Sequence, residues 1–323
     1  MVGSHLLDYL IKKTNWEIHG LIRWRSPIDN INNHIKSINR KERIFLHYGD
    51  IREQHSIDCI IKCIKPDYVF HLAAQSYPKT SFEIPADTYE TNITGTSNIL
   101  ESLRRYKKNA IIHVCSSSEV FGRVKKDQIP INENCSFHPA SPYAISKTGT
   151  DLIGRFYAEA YKMKIMTTRM FTHTGPRRGD VFAESSFAKQ IALIELNMQE
   201  PVVNVGNLNS LRTIADVRDA VHGYYLLLTK NPIAGEVYNI GGNHTCRVGE
   251  ILNFLLSKAK KKITFRVDKN RLRPIDADLQ VPDTSKFRLH TGWKPKYKFE
   301  TTMIDLLNYW REKVKNKKYF LNR

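Results

Sequence analysis

The apolar positions of this chain come in short continuous runs, separated by longer stretches of helical period. Trp16–Ile22, Ile44–Ile51, Tyr68–Leu72, Ile111–Cys115 and Ile165–Phe171 are such runs, and each reads as a strand of a buried parallel sheet. Helices are expected after Met1, around Asn92–Thr96, from Ser141 onward, and through Leu306, Leu307 and Trp310. Strands alternating with helices place the chain in the α/β class. No internal repeat or low-complexity segment breaks the pattern.

The most informative stretch runs from Ile111 to Lys147. After the strand come Ser116-Ser117-Ser118 and Glu119-Val120-Phe121-Gly122, which put polar side chains just past its carboxyl end. Open α/β sheets bind their ligands there. Ser141-Pro142-Tyr143-Ala144-Ile145-Ser146-Lys147 then opens a helix, and Tyr143 and Lys147, four residues apart, share one face. A cation beside a phenol favours the phenolate, which makes a tyrosine usable as an acid/base near neutral pH. Alone, Tyr-x-x-x-Lys is a common helix-surface pattern. Behind a strand that ends Ser-Ser-Ser-Glu it points to catalysis.

At these residues the chain resembles the extended short-chain dehydrogenase/reductase family, within it the nucleotide-sugar 4,6-dehydratases, and most closely the GDP-mannose branch. The resemblance covers nearly the whole chain. It implies a Rossmann-like doubly wound parallel sheet with a smaller C-terminal substrate lobe. Residues 1–172 would be mainly the NADP-binding domain, and 173–323 mainly a nucleotide-sugar-binding lobe interleaved with the last sheet strands.

The same resemblance assigns the cofactor residues. Gly3 stands where the family carries the last glycine of G-x-x-G-x-x-G, while the preceding strand and turn are missing. A misplaced start codon or an incomplete sequence is therefore expected, with a gap between two hydrogen-bonding edges of the sheet. Arg23-Trp24-Arg25-Ser26 follow a strand at the place where arginine accommodates a 2′-phosphate, which favours NADP over NAD. Asp50 and Ile51 match the family's adenine-contacting pair. Leu72-Ala73-Ala74-Gln75-Ser76 matches the segment beside the nicotinamide, with small residues that permit close approach. His173 and Arg178, in Thr172-His173-Thr174-Gly175-Pro176-Arg177-Arg178-Gly179, match cofactor contacts, and the resemblance implies that Tyr143 and Lys147 bind the cofactor beside their catalytic part, with Lys147 on its ribose.

For the substrate, Thr172 replaces the asparagine of the family's Asn-His-x-x-Pro-Arg-Arg-Gly. Arg212, in Gly206-Asn207-Leu208-Asn209-Ser210-Leu211-Arg212, falls where an arginine meets the sugar-nucleotide diphosphate. Arg273 and Asp276 resemble Arg-Pro-x-Glu, with Asp276 on the nucleotide ribose. Arginine suits this place because its planar fork matches phosphate oxygens. Lys189, in a helical run with solvent-facing lysines, is a further substrate candidate. Thr291-Gly292-Trp293-Lys294-Pro295 and Asn92–Thr96 read as structural.

Composition narrows the partners. The chain has 323 residues, 41% of them apolar, enough for one large α/β domain or a domain with a smaller lobe. The five cysteines show no metal-like pairing with histidine; Cys59 and Cys63, one helical turn apart, suit reduced, packed thiols. No metal site is expected. With no signal peptide or membrane-length apolar run, the expected location is cytoplasmic, without membrane partners. The net charge of +18 includes clusters at Lys258–Lys262 and Lys313–Lys318, but no helix-turn-helix, zinc or RNA-binding signature accompanies it. A diphosphate-bearing substrate is the better use for part of that charge, and nucleic acid is not an expected partner. A homodimer or homotetramer is expected.

The resemblance implies GDP-sugar 4,6-dehydration, with Tyr143, Lys147, Ser117 and Glu119 as the catalytic set. Tyr143 would handle the C4 hydroxyl proton and Glu119 the C5 proton, with Ser117 on the C4 oxygen. Two alternatives stay open at this point. A GDP-4-keto-6-deoxymannose reductase, or another nucleotide-sugar epimerase or reductase, needs only Ser, Tyr and Lys. A non-catalytic dinucleotide-binding regulator is compatible with the absent glycine-rich turn.

Overall fold

The computed structural model describes residues 1–316, so Lys317 and Lys318 of the C-terminal lysine cluster lie outside the described residues. Its strands are β1 (Ile18–Ile22), β2 (Ile44–Tyr48), β3 (Tyr68–His71), β4 (Ile111–Cys115), β5 (Lys164–Met170), β6 (His173–Thr174), β7 (Val202–Val205), β8 (Leu211–Asp216), β9 (Val237–Ile240), β10 (His244–Arg247), β11 (Thr264–Val267) and β12 (Leu279–Gln280). The central sheet is parallel, in the order β3-β4-β5-β9, so a strand from the C-terminal half completes it. β1 and β2 form a separate parallel pair.

Between β1 and β3 no strand hydrogen bonds are made among the described residues. Side chains hold the β1–β2 unit to the rest instead. Trp16 stacks on Tyr68 with ring centroids 4.5 Å apart. Arg43 donates to the carbonyls of Thr14 at 2.6 Å and Trp16 at 3.0 Å at the end of helix Val2–Lys13.

The alternation of β4 explains the layers. Ile112 and Val114 point into a core shared with Leu100, Leu103, Ile57 and Ile165, under helices Gln54–Ile64, Gly95–Tyr106 and Pro142–Tyr161. Met166, Met170, Tyr224 and Tyr238 form a core on the opposite side of the sheet, covered by helix Val217–Thr229 and by Trp293. Trp293 is fully buried and donates its indole N–H to the Asp219 carbonyl, which supports its structural reading. A third core, around Phe187, Ile191, Val203, Leu252, Leu306 and Trp310, lies in the C-terminal lobe with β7, β8, β10, β11 and β12.

Two local devices fix the site-bearing segments. The Ser141 hydroxyl caps helix Pro142–Tyr161 by accepting from the Ala144 N–H at 3.0 Å, with Pro142 in the first turn, where a missing N–H costs nothing. Gly122 closes the turn after Glu119 at φ +54°, and a Cβ there would lie 1.7 Å from the His138 carbonyl oxygen. Only glycine fits that turn. Cys59 and Cys63 are free but exposed on helix Gln54–Ile64, not packed as the sequence implied, because that helix buries Ile57 and turns its cysteine stripe outward.

Candidate active site

The carboxyl ends of β3, β4 and β5 open onto a cavity of about 710 Å³, roofed by the C-terminal lobe. Ser117, Glu119, Tyr143 and Lys147 all line it, as do Thr172, His173, Arg178, Arg212, Arg273 and Asp276. Residues spread over the whole sequence thus converge on one volume.

Ser117 starts a short turn, and its hydroxyl accepts from the Glu119 N–H at 3.2 Å, which aims the glutamate side chain. Tyr143 is buried, and burial pushes its phenol above the ordinary range. A hydrogen bond from Ser117 and the Arg178 charge pull it back in part. Here the structure differs from the simple Tyr–Lys expectation. The Lys147 ammonium donates to the Cys115 carbonyl, and burial lowers its pKa. The four-residue spacing put both side chains on one face, but only the fold shows that the ammonium is bound by the end of β4.

Glu119 stands among cations. Arg273 approaches it to 3.9 Å and Asp276 to 3.5 Å, and Arg212 reaches Asp276 at 3.4 Å while donating to the Ala277 carbonyl at 2.5 Å. The site therefore pairs one carboxylate near Tyr143 with two planar donors suited to phosphate oxygens.

The opposite side of the cavity is built for an anion. Met1, Val2 and Gly3, at the start of helix Val2–Lys13, line it, and no side chain caps that helix. Its first N–H groups and the positive end of its dipole face the cavity. A Cβ at Gly3 would meet nothing within 4 Å, so the backbone is open to a ligand. Arg177 and Arg178 add positive charge, and Arg178 stacks on Phe182 with its guanidinium carbon 3.4 Å from the ring centre. Burial, reinforced by Arg178, holds the His173 imidazole down at about 3, so it stays neutral. These residues fit a pyrophosphate-bearing dinucleotide.

Other expected cofactor residues have different surroundings. Leu72, Ala73, Ala74 and Ser76 line the cavity, whereas Gln75 does not: its backbone N–H and carbonyl pair with the buried Asn92 amide, and its side chain with the Tyr77 backbone. Arg23, Trp24, Arg25 and Ser26 follow β1 outside the cavity lining, with Arg23, Trp24 and Arg25 exposed. The Asp50 carboxylate is occupied by Arg52 at 2.7 Å, and the Ile51 side chain is buried against Gly95 while its carbonyl accepts from the Asn98 amide at 2.9 Å; neither residue lines the cavity. Lys189 is not solvent-facing. It is buried in helix Ala183–Glu195, paired with Asp180 at 2.8 Å, and lies outside the cavity lining, because that helix packs all round into the C-terminal core.

Several lining residues escaped sequence reasoning: Arg177, Glu184, Asn204 and Arg271. Arg177 sits in the same Pro-Arg-Arg-Gly run as Arg178, and Arg271 two residues before Arg273. The run of arginines was the available signal; Glu184 and Asn204 carry none.

The family model described as GDP-mannose 4,6 dehydratase matches residues 1–306. This chain belongs to that family. GDP-mannose 4,6 dehydratase 1 of Arabidopsis thaliana is 33% identical over 92% of this chain and 83% of its own length. GDP-6-deoxy-D-mannose reductase of Pseudomonas aeruginosa is 31% identical over 77% of the chain and 82% of its own length. Among solved structures, RMD from Pseudomonas aeruginosa complexed with NADPH superposes with a TM-score of 0.79 at 26% identity, over 92% of this chain and all of the other. The family places this chain among Rossmann-fold enzymes of nucleotide-sugar chemistry.

Proposed function

We propose that this protein is an NADP-dependent GDP-sugar 4,6-dehydratase, a hydro-lyase that converts GDP-mannose or a related GDP-sugar to its 4-keto-6-deoxy form. The observation that carries the reading is Glu119. It is a carboxylate at the strand end, in the same cavity as Tyr143, Ser117 and Lys147.

NADP supplies hydride acceptance and return. Gly3, Arg178 and the uncapped helix start would hold its pyrophosphate, and Leu72 to Ala74 and Lys147 would bound its reactive end. Arg23 and Arg25, exposed beyond β1, would meet its 2′-phosphate. Arg212 and Arg273 would clamp the GDP diphosphate by their planar forks, with Asp276 on the ribose. Tyr143 takes the C4 hydroxyl proton, and Ser117 donates a hydrogen bond to the C4 oxygen as charge develops there. While C4 is at the carbonyl level, C5–H is acidic; Glu119 removes that proton and gives it to the hydroxyl that leaves from C6 as water, and Tyr143 returns its proton to C5 to complete the 4-keto-6-deoxy product.

A second reading, reduction of a GDP-4-keto-6-deoxy sugar, is favoured by the similarity to GDP-6-deoxy-D-mannose reductase. Such a reaction has no C5 proton to remove and gives Glu119 no task.

A homo-oligomer is supported by Ile145, Leu152 and Phe156, which are 46%, 49% and 55% exposed along the outer stripe of helix Pro142–Tyr161. A subunit contact along this stripe would bury those apolar side chains. A cytoplasmic location fits the reading, and no helix among the described residues is long and apolar enough to cross a membrane. The test is incubation with GDP-, UDP- and CDP-sugars followed by mass spectrometry. Loss of one water from GDP-mannose without added reductant is expected; turnover that requires stoichiometric NADPH selects the reductase.

A further inference from the structure

One buried guanidinium joins the two halves of the catalytic set. Arg169 in β5 is 2% exposed, and it donates from Nε and Nη2 to the two oxygens of the fully buried Asp151, at 2.8 and 3.1 Å. Its remaining Nη1 donates to the Glu133 carbonyl at 2.7 Å. Phe121 and Phe137 stack around the same group, with ring centres 5.3 and 4.6 Å away.

Those partners belong to two segments. Asp151 lies in helix Pro142–Tyr161, one turn past Lys147 and two past Tyr143. Phe121 comes two residues after Glu119, and Glu133 and Phe137 lie in the loop that follows. That loop is tied down again by the Asn239 N–H, which donates to the Glu133 carboxylate at 2.7 Å. A buried ion pair is a poor way to gain stability, since apolar residues of like volume often do as well. A planar fork that satisfies a carboxylate, a carbonyl and two rings at once fixes orientation, which lysine cannot do.

We infer that Arg169 is a positioning residue: it sets where the base Glu119 stands relative to Tyr143 and Lys147. The inference rests on the dehydratase reading for its kinetic consequence, but not for its structural one. Arg169→Lys keeps the charge and loses the fork; Phe121→Leu removes one ring and leaves the ion pair intact. For both, GDP-mannose KM is expected within about threefold of the parent. A displacement of about 1 Å costs up to about 10²-fold, so kcat is expected to fall about 10- to 100-fold. Amide hydrogen exchange is expected to quicken in both 119–138 and 142–151, with β7 and β11 unchanged.

Unchanged kcat with unchanged exchange in either folded variant overturns the inference, as does exchange that quickens throughout the molecule. If the parent enzyme expels no water from GDP-mannose, the proposed function fails while the exchange comparison still decides the role of Arg169. Should Arg169→Lys not fold, Phe121→Leu carries the same two readouts.

Discussion

Glu119→Gln isolates the step that distinguishes a dehydratase. The amide keeps the shape and the hydrogen-bonding reach of the side chain but cannot take a proton from C5. The other cavity carboxylates are poor substitutes: Glu184 lies against Arg178 at 3.3 Å, and Asp276 is held between Arg212 and Arg273 at 3.4 and 3.5 Å. No neighbouring base is therefore free to rescue the reaction. General base assistance is typically worth about 10²–10⁴ in rate, or about 2.7–5.4 kcal/mol of barrier. A loss of kcat in that range is expected, with GDP-mannose and NADP affinities held within about threefold because the arginines that bind phosphate are untouched. The assay is product formation by mass spectrometry in D₂O. The parent enzyme should place solvent deuterium at C5, and the variant should not. A variant that turns over at the parental rate, with C5 deuterium intact, would refute the role of Glu119 and with it the elimination mechanism.

Replacing Arg23 and Arg25 together by alanine is expected to erase most of the NADP-over-NAD preference, measured as the ratio of the two dissociation constants; equal affinities in the parent would show those arginines to be surface charge only. Leu152→Glu, in the middle of the exposed stripe on helix Pro142–Tyr161, should shift sedimentation toward the monomer, and an unchanged sedimentation coefficient would place the interface elsewhere. Acid should destabilise the fold before its carboxylates titrate. Burial holds His71 and His113 at about 3, against 6.5 ordinarily, so the unfolded chain binds their protons first as pH falls. Their contribution is complete above about 6.5 and drains away below it, by up to about 1.4 kcal/mol per pH unit for each. The urea midpoint should thus drop between pH 7 and 5.5, and less steeply in His113→Gln; a flat profile in the parent contradicts this.

Strand positions and the order of site motifs were legible because they depend on local pattern. β4 begins and ends where the apolar run Ile111–Cys115 does, and the Ser141–Pro142 start of the catalytic helix is a matter of one hydroxyl and one proline ring. What spacing could not convey was which charges face each other once the sheet closes. Tyr143 and Lys147 share a helix face, yet the lysine ammonium is drawn to the Cys115 carbonyl at the end of β4. Lys189 read as solvent-facing, and packing of its helix into the C-terminal core buried it against Asp180. Asp50 kept its place at the end of β2 but gave its carboxylate to Arg52. Local sequence decides where a side chain starts, through backbone conformation and caps. Its partners are decided by long-range packing, because desolvation makes an unpaired buried charge too costly to leave where the sequence put it.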